Sequence, residues 1–560
     1  MKSVFADFDR YLTEVDPVRA EQRGDLAALP LWPDDGPQAV ARNRKALQDI
    51  LARLEKLKDA SLSDEEALSR DLLRERVALD LEGFGFDEQR VPFNTGDGFF
   101  TVPTYAADGV VLRSEAEGRA WIAKLAALPA YYAIETQNMR RGLASGFTRP
   151  RLVVEKVVAG TKARAAQAPD AHPMLKPIEL MPRTIAASIR EKLHADALGV
   201  VKSKVKPAER ALAEFFEREY LPRAGKLPGI RDVPRGREYY AFLIRRHAST
   251  AMSADAIHEL GLAEVARIRK DMLALIADTG FRGSFAEFLA FLRSDRLFQA
   301  TSIDDYLQKT RDILKRVDAL LPGYFGTLPR LTYGVRLVPP EMKESSSGYN
   351  PGSPEQGVAG AVLVNVPDLA QAPLYGLPAW ALHEGVPGHH LQIALAQERF
   401  DLPNFRRIDD INAYVEGWAL YSEFLGVEMG MYRTPYENFG RMSLEMWRAC
   451  RLVVDTGIHV KGWTREQAIA YLRDNTALSQ SWVENEIDRY IGWPGQALGY
   501  KIGEIRIRLL RARAEQALGE KFDLRAFHDA ILSPGPMPLD IMERRIDAWI
   551  QSRAQPARPQ

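Results

Sequence analysis

Apolar residues recur every three or four positions through much of the chain, the spacing that places them on one face of an α-helix. Leu47, Ile50 and Leu54 follow this spacing, and charged residues occupy the positions between them. Residues 257–276 repeat the pattern before Gly280, a residue type suited to end a helix. The sequence therefore predicts a mainly α fold.

The helical pattern is interrupted at 341–360, where serine, glycine and proline are concentrated. These residues favour turns and loops. Residues 361–366 follow as a short run rich in β-branched side chains, which predicts a strand. We expect a boundary near residue 340 between a mostly helical N-terminal lobe, 1–340, and a second lobe, 341–560, although one continuous domain is also compatible with the pattern.

The charge balance argues against one class of partner. Lys plus Arg and Asp plus Glu both number 75 in 560 residues, so the formal net charge is zero. No general positive field is then available to hold a nucleic acid. Hydrophobic residues make up 46 % of the chain, but no apolar run approaches the roughly 18 residues that a membrane span needs. We expect no nucleic-acid partner and no membrane span, and the sequence leaves a homodimer open.

The only cysteine, Cys450, lies among apolar residues and is expected to be buried and inert. A single sulfur excludes an intramolecular disulfide and a thiolate-rich metal site. The first twenty residues carry four acidic side chains and no continuous apolar core, which is unlike a secretory signal. As the sequence stands a cytoplasmic protein is expected, whereas a signal peptide removed earlier would make it periplasmic or exported.

The segment most informative about chemistry is 383–390, which reads His-Glu-Gly-Val-Pro-Gly-His-His and holds three of the nine histidines. In the zinc-hydrolase motif His-Glu-x-x-His, two histidines one helical turn apart bind the metal, and the glutamate accepts a proton from water. His383 and Glu384 match the start of this motif. We therefore predict a Zn²⁺ site with Glu384 as the general base.

The rest of the segment departs from that motif, because Pro387 stands where the second histidine should fall. A proline interrupts a helix, and Gly388 tolerates unusual backbone angles. A bulge of two residues would carry His389 to the place of the second ligand. His390, seven residues after His383, is the alternative in an unbroken helix. We favour His389.

A third protein ligand is expected from the segment 414–421, Tyr-Val-Glu-Gly-Trp-Ala-Leu-Tyr. It places Glu416 in an apolar stretch, where a carboxylate requires a partner, and hydrolytic zinc sites often include a carboxylate. Glu423, on the same helical face, is the alternative ligand or would support one by a hydrogen bond. The predicted ligands are His383, His389 and Glu416.

Three segments together resemble the bacterial domain-of-unknown-function 885 family. They are the motif at 383–392, the Tyr-Val-Glu-Gly-Trp-Ala run at 414–419, and Trp-Pro-Gly-Gln-Ala-Leu-Gly-Tyr-Lys at 493–501. That family is grouped with the zincin metallopeptidases. The resemblance implies a large helical zincin-like body with a small β-sheet beside the metal helix and two lobes around a cleft. It also implies Glu416 as the third ligand, by its likeness to the Glu-Gly-Phe-Ala segment of gluzincin aminopeptidases.

Further segments that look like the family begin at His258 and at Arg451. His258-Glu259 is not a second metal motif, because Leu262 stands where the next histidine would be needed. We expect His258 to have a structural or supporting role.

Amide hydrolysis also needs a donor aimed at the developing oxyanion. Tyr500 is our candidate, because zincins commonly add a tyrosine and two nearby glycines let the chain approach a ligand. A tyrosine of the core is the alternative. Arg489 and Lys501 are candidates for binding a terminal carboxylate of the substrate. His459, an imidazole that Asp455 could orient, is a third candidate for substrate binding.

The strand predicted at 361–366 comes shortly before the metal motif. Many zincins place an edge strand there, and it holds an extended peptide through backbone hydrogen bonds. Tyr349, Asn350 and Asn365 would line it. A plain connecting loop followed by a core strand is the alternative.

These residues favour a zinc-dependent hydrolase of peptide bonds that acts on a peptide or small amide. The alternative is a non-catalytic helical peptide-binding protein with a retained metal site, and Glu384 argues against it, because a binder needs no base. Within the enzyme class, the resemblance to helical oligopeptidases favours a carboxypeptidase or oligopeptidase over an aminopeptidase. Hydrolysis of non-peptide amides stays open.

Overall fold

The computed structural model of the protein describes residues 1–57, 62–338, 347–366, 368–369 and 372–554. The chain folds into two compact units, residues 1–236 and 237–560. Both are mainly helical, as expected, and a small sheet of three strands lies in the second.

The described part of the first unit contains ten α-helices and a core rich in aromatic rings. Trp121, Phe216 and Tyr220 are fully buried, as are Leu47, Ile50 and Leu54, whose spacing predicted a helix. The helices are α1 Lys2–Val15, α2 Pro17–Gln22, α3 Pro37–Leu54, α4 Asp64–Gly83, α5 Val102–Gly109, α6 Glu115–Ser145, α7 Arg151–Ala166, α8 Lys176–Glu179, α9 Ala187–Val200 and α10 Lys206–Glu214.

The second unit carries the predicted metal motif. Its helices are α11 Gly236–Ala248, α12 Ala254–Asp278, α13 Phe285–Ser294, α14 Ile303–Asp318, α15 Leu321–Tyr324, α16 Leu377–Glu384, α17 His389–Gln397, α18 Asn404–Ile408, α19 Asn412–Glu428, α20 Pro435–Thr456, α21 Arg465–Asn475, α22 Gln480–Gly492, α23 Leu498–Leu518, α24 Leu524–Leu532 and α25 Leu539–Ala554.

The division between the units falls at Gly236, not near residue 340 as the composition suggested. Helix α12 packs along α20, and α14 packs on α16, so helices from before residue 340 form one body with the helices of the motif. The glycine- and proline-rich segment marks a change of secondary structure and not a break in packing. Part of that segment, residues 341–346, lies outside the described residues.

The sheet consists of β1 Tyr333–Leu337, β2 Gly348–Asn350 and β3 Gly360–Val364, in the order β1-β3-β2. Strand β1 is parallel and β2 antiparallel to β3. The strand predicted at 361–366 is therefore present, but its assignment as an edge strand is wrong, because it is paired on both sides. Tyr349 and Asn350 lie on β2, at an edge of the sheet, and Asn365 follows β3.

His258 and Cys450 have the structural roles that the sequence suggested. Nδ1 of His258 lies 2.8 Å from the hydroxyl of Thr456, and its ring packs edge-on against Trp463. Cys450 is fully buried in α20, and burial raises the pKa of its thiol. Among the described residues, no helix has both the length and the apolar character required to cross a membrane.

Candidate metal centre

The His-Glu motif spans the end of α16 and the start of α17. Helix α16 ends at Glu384, and α17 begins at His389. The backbone N–H of Gly388 donates to the carbonyl of Leu382 over 3.0 Å, which closes a turn wider than that of an α-helix. A Cβ atom on Gly388 would collide with the carbonyl oxygen of His383, so the turn requires glycine. The predicted bulge is thus a complete break between two helices, caused by the same Pro-Gly pair.

This break brings His389 back towards His383. Their ring centroids lie 4.7 Å apart, with the ring planes nearly perpendicular. Nε2 of each imidazole is 3.4 Å from Oε2 of Glu416, and the candidate ligand atoms all lie within 4.8 Å of one another. The structure therefore places the three predicted ligands together.

Glu416 reaches the two histidines because α19 crosses α23 at very short range. A Cβ atom on Gly417 would lie only 2.5 Å from Cα of Gly503, and one on Gly503 would collide with the carbonyl oxygen of Ala413. Two glycines that face each other let the helix backbones touch. The crossing fixes the position of α19 and hence of its carboxylate.

The orientation of His383 is set by a second carboxylate. Nδ1 of His383 donates to Oε1 of Glu423 over 2.8 Å, and the same oxygen is 3.2 Å from Nη2 of Arg448. All three side chains are buried. With Nδ1 engaged, Nε2 of His383 is the nitrogen directed at Glu416. Of the two predicted roles for Glu423, the structure shows the supporting hydrogen bond.

The electrostatics of the cluster favour a positive charge. Burial lowers the pKa of His383, but the neighbouring carboxylates of Glu416 and Glu423 outweigh burial and raise that pKa to about 9. Burial likewise raises the pKa of Glu416, yet the two neighbouring imidazoles outweigh it and hold this pKa well below the usual range. In the absence of a metal ion, a proton on His383 would compensate the buried carboxylate.

These residues fit a zinc ion by donor type and by spacing. Two ligands at about 2.1 Å from a tetrahedral ion lie about 3.4 Å apart, which matches the separation of each Nε2 from Glu416 Oε2. Oε2 of Glu416 is buried and has no hydrogen-bond partner within the part of the chain that the structure describes. Two imidazoles and one carboxylate are a ligand set typical of catalytic zinc.

His390, the alternative ligand, has a different role. Its Nδ1 lies 2.9 Å from the hydroxyl of Tyr349, its Nε2 lies 3.1 Å from the carbonyl of Leu331, and its ring packs on Tyr333. Burial lowers the pKa of His390 to about 4, so the ring is neutral at physiological pH. Because both ring nitrogens are engaged, His390 attaches the sheet to α17 and is not available to a metal.

Glu384 and Tyr500, the two predicted catalytic residues, both belong to this region. Glu384 is 9 % exposed, and burial raises the pKa of its carboxyl while the His383 and His389 charges oppose the rise. The ring of Tyr500 lies parallel to that of His383, with centroids 6.4 Å apart. Burial and, secondly, the charge of Glu416 raise the pKa of Tyr500, so its hydroxyl keeps its proton at neutral pH.

Two of the three predicted substrate-binding residues are placed elsewhere. Lys501 is fully buried, and its Nζ lies 2.9–3.2 Å from Glu264, Glu445 and Glu504. His459 is also fully buried, and its Nε2 donates to the carbonyl oxygen of Tyr490 over 3.0 Å. Neither side chain can receive a substrate, because protein groups already surround each one.

Arg489, the third candidate, is partly exposed and lies near Tyr500. Its side chain is 27 % exposed, and its Nη1 donates to Oε1 of Gln496 over 2.8 Å. No role was predicted from the sequence for Arg448 or for Arg451, whose guanidinium lies 4.1 Å from the centre of the Tyr500 ring. The two arginines lie three residues apart among apolar residues of α20, and this is the signal that could have identified them, because a charge on a buried face needs a partner.

Residues 17–546 match the model of the family described as "Bacterial protein of unknown function (DUF885)", so the chain belongs to that family and the resemblance is confirmed. No curated protein matches the chain.

Two solved structures are similar to it over nearly their whole length. One, from Colwellia psychrerythraea, has a TM-score of 0.92 and 28 % sequence identity, with 98 % of each chain covered. The other, from Shewanella oneidensis, has a TM-score of 0.72 and 18 % identity, with 97 % of this chain and 98 % of that chain covered. Both are described as putative lipoproteins, the second as one of unknown function. The second similarity shows the fold alone.

Proposed function

We propose that this member of the DUF885 family is a zinc-dependent hydrolase of peptide bonds with a zincin-like body. The observation that carries the proposal is the buried cluster of His383, His389 and Glu416. Glu384 directly follows one of these ligands, His383, at the end of α16. Two histidines and a carboxylate with an adjacent glutamate are the arrangement of hydrolytic zinc sites. Within this class we favour a carboxypeptidase or oligopeptidase, and small non-peptide amides remain candidate substrates.

The proposed reaction adds water across the amide bond. Zinc, when bound, supplies a Lewis acid that polarises the scissile carbonyl and makes a water molecule acidic near pH 7. Glu384 accepts a proton from the water, the water oxygen bonds to the carbonyl carbon, and the proton passes to the leaving amine as the C–N bond breaks.

Tyr500 would stabilise the charge that develops on the carbonyl oxygen. Its ring lies parallel to the ring of one ligand, His383, and its hydroxyl stays protonated at neutral pH. A phenol that donates a hydrogen bond to an oxyanion in a buried site lowers the activation barrier more than it improves substrate binding.

The test uses Glu384→Gln beside the wild type, both loaded with zinc. We expect the variant to keep one zinc ion per chain by elemental analysis and to lose nearly all cleavage of a mixed peptide library read by mass spectrometry. A non-catalytic binder would instead give no cleavage with either protein. Equal cleavage by both proteins would remove Glu384 as the base.

A further inference from the structure

We propose that Arg489, supported by Arg451, forms a binding site for the free C-terminal carboxylate of the substrate. This inference rests on the proposed function and deepens it, because it assigns the enzyme to peptides whose scissile bond lies close to a free C-terminus. The three observations that carry it are an imbalance of charge, an incompletely bonded guanidinium, and the position of both arginines beside Tyr500.

The imbalance arises because two guanidinium groups share one carboxylate. Nη2 of Arg451 lies 2.9 Å from Oε2 of Glu486, and Arg489 contacts the same carboxylate through Nε and Nη2, both at 3.3 Å. Tyr490 also uses this carboxylate as an acceptor, since its hydroxyl donates to Oε2 of Glu486 over 2.7 Å. One positive charge in this group of side chains therefore has no carboxylate of its own.

A second acid that interacts electrostatically with both arginines, Asp455, does not offset this charge fully. Its carboxylate accepts hydrogen bonds from the hydroxyl of Tyr240 and the backbone N–H of Gly495. Burial raises the pKa of Asp455 to about 7, so a large fraction of it is neutral at physiological pH. The two arginines keep a net attraction for an anion.

Neither guanidinium makes short hydrogen bonds with all of its nitrogen atoms. Nη1 of Arg451 is buried and has no hydrogen-bond partner within the described residues. The contacts of Arg489 with Glu486 are at the long limit for hydrogen bonds. Only its bond to Gln496 is short, and Gln496 is itself fixed by Asn412, whose Oδ1 accepts from Nε2 over 2.8 Å. Arg489 is thus oriented by an amide and remains available to a stronger anionic partner.

The position of this pair indicates where the substrate ends. The ring of Tyr500 has His383 on one side at 6.4 Å between centroids, and the guanidinium of Arg451 lies 4.1 Å from the same ring. Arg489 also interacts electrostatically with Tyr500, so a carboxylate held at Arg489 corresponds to a scissile bond close to the C-terminus. Arg451 is a positioning residue, because it is 2 % exposed and acts through Arg489 and Glu486.

The experiment measures peptide binding in a variant that is expected not to cleave the peptide. In the zinc-loaded Glu384→Gln protein, calorimetry compares a tripeptide with a free C-terminus and the same tripeptide with a C-terminal amide. We expect the acid to bind at least 10-fold more tightly. Arg489→Met in the same background should reduce this ratio to about 1, whereas Arg489→Lys, which keeps the charge but loses the planar fork, should give an intermediate ratio.

The control is Arg506→Met, which removes a comparably exposed arginine of α23 that pairs with Glu543. It should leave the ratio unchanged. Equal affinity for the acid and the amide, no binding of either, or an unchanged ratio in Arg489→Met would overturn the inference. Wild-type enzyme that cleaves amidated peptides as fast as free acids would also overturn it while leaving the proposed hydrolase intact. Failure of the proposed function gives a different result, namely no cleavage of either form.

Discussion

Two buried clusters of ionisable side chains lie near Tyr500 and Lys501, two successive residues of α23, and they differ in how their charge is compensated. Lys501 places its ammonium group among Glu264, Glu445 and Glu504. Each of these carboxylates also contacts an arginine, namely Arg267, Arg441 or Arg508. The other cluster, formed by His383, His389 and Glu416, lies beside the ring of Tyr500. It contains buried polar atoms that have no hydrogen bond within the described residues.

The difference shows how a structural ionic cluster can be told from a candidate metal site. Around Lys501 the cation is the ammonium group of a protein side chain. The carboxylates are therefore compensated, and no external ion is needed. Around Glu416 the nearest protein groups are imidazoles, which compensate the carboxylate only by holding protons. A carboxylate whose adjacent partners are imidazoles, which carry charge only as exchangeable protons, is the one suited to a metal ion.

The largest expected effect is the loss of zinc in His389→Ala. Loss of a residue that only supports a ligand costs about 10- to 100-fold in metal affinity, so removal of a ligand itself should cost more, at least about 1,000-fold. Zinc content after dialysis against a weak chelator measures it. The control is His390→Ala, which should lower thermal stability and keep zinc. Zinc retained in His389→Ala but lost in His390→Ala would reverse the ligand assignment.

The next effect is on turnover in Tyr500→Phe. Loss of one oxyanion donor costs about 10²- to 10³-fold in kcat, with a smaller change in KM. Steady-state kinetics and a melting curve on one preparation measure both. Tyr375→Phe is the matched control, because it removes a buried hydroxyl that donates to the carbonyl of Ala477; it should lower stability and spare kcat. A Tyr500→Phe protein that melts early but cleaves normally would identify Tyr500 as a core residue.

Lys501→Met tests the compensated cluster. Loss of one partner in a buried ionic group costs about 3 kcal/mol, since three carboxylates lose a shared donor. Urea denaturation should show this loss of stability while zinc content stays normal. The control is Lys309→Met, an exposed lysine of α14 paired with Asp305, for which we expect a change below about 1 kcal/mol. A change in zinc content in Lys501→Met would mean that the two clusters are coupled.

The smallest effect is expected from Glu423→Gln. The amide keeps a hydrogen-bond acceptor for Nδ1 of His383 but loses its charge, so zinc affinity should fall by about 10- to 100-fold. Competition titration with a chromophoric chelator measures the affinity. Glu428→Gln, on the same helix and paired with Arg511 at the surface, should bind zinc like the wild type. An unchanged affinity in Glu423→Gln would restrict Glu423 to a structural pairing with Arg448.

The parts of the site that the sequence predicted are those set by local chemistry. His383, His389 and Glu416 were identifiable because their residue types are rare in apolar segments, and because a Pro-Gly pair interrupts a helix wherever it occurs. The helices followed from apolar spacing for the same reason. These properties depend on a few neighbouring positions, so a single sequence reveals them.

The wrong predictions depended on contacts between distant positions. Lys501 was proposed to bind substrate, but two of its three carboxylate partners come from α12 and α20 and cannot be inferred from its neighbours in α23. Strand β3 was taken for an edge strand, although pairing on its second side comes from β1, more than twenty residues earlier. The predicted boundary near residue 340 was wrong for the same reason. The packing of α12 on α20 cannot be inferred from the composition of the segment 341–360.

Cys450 gives this protein an internal reporter of helix opening. The thiol is fully buried in α20, between Arg448 and Arg451, and its raised pKa keeps it in the unreactive protonated form. A thiol reagent can therefore modify it only when that part of the helix opens. The labelling rate, measured with and without added zinc, would report how far an ion held by His383, His389 and Glu416 restrains the opening of α20.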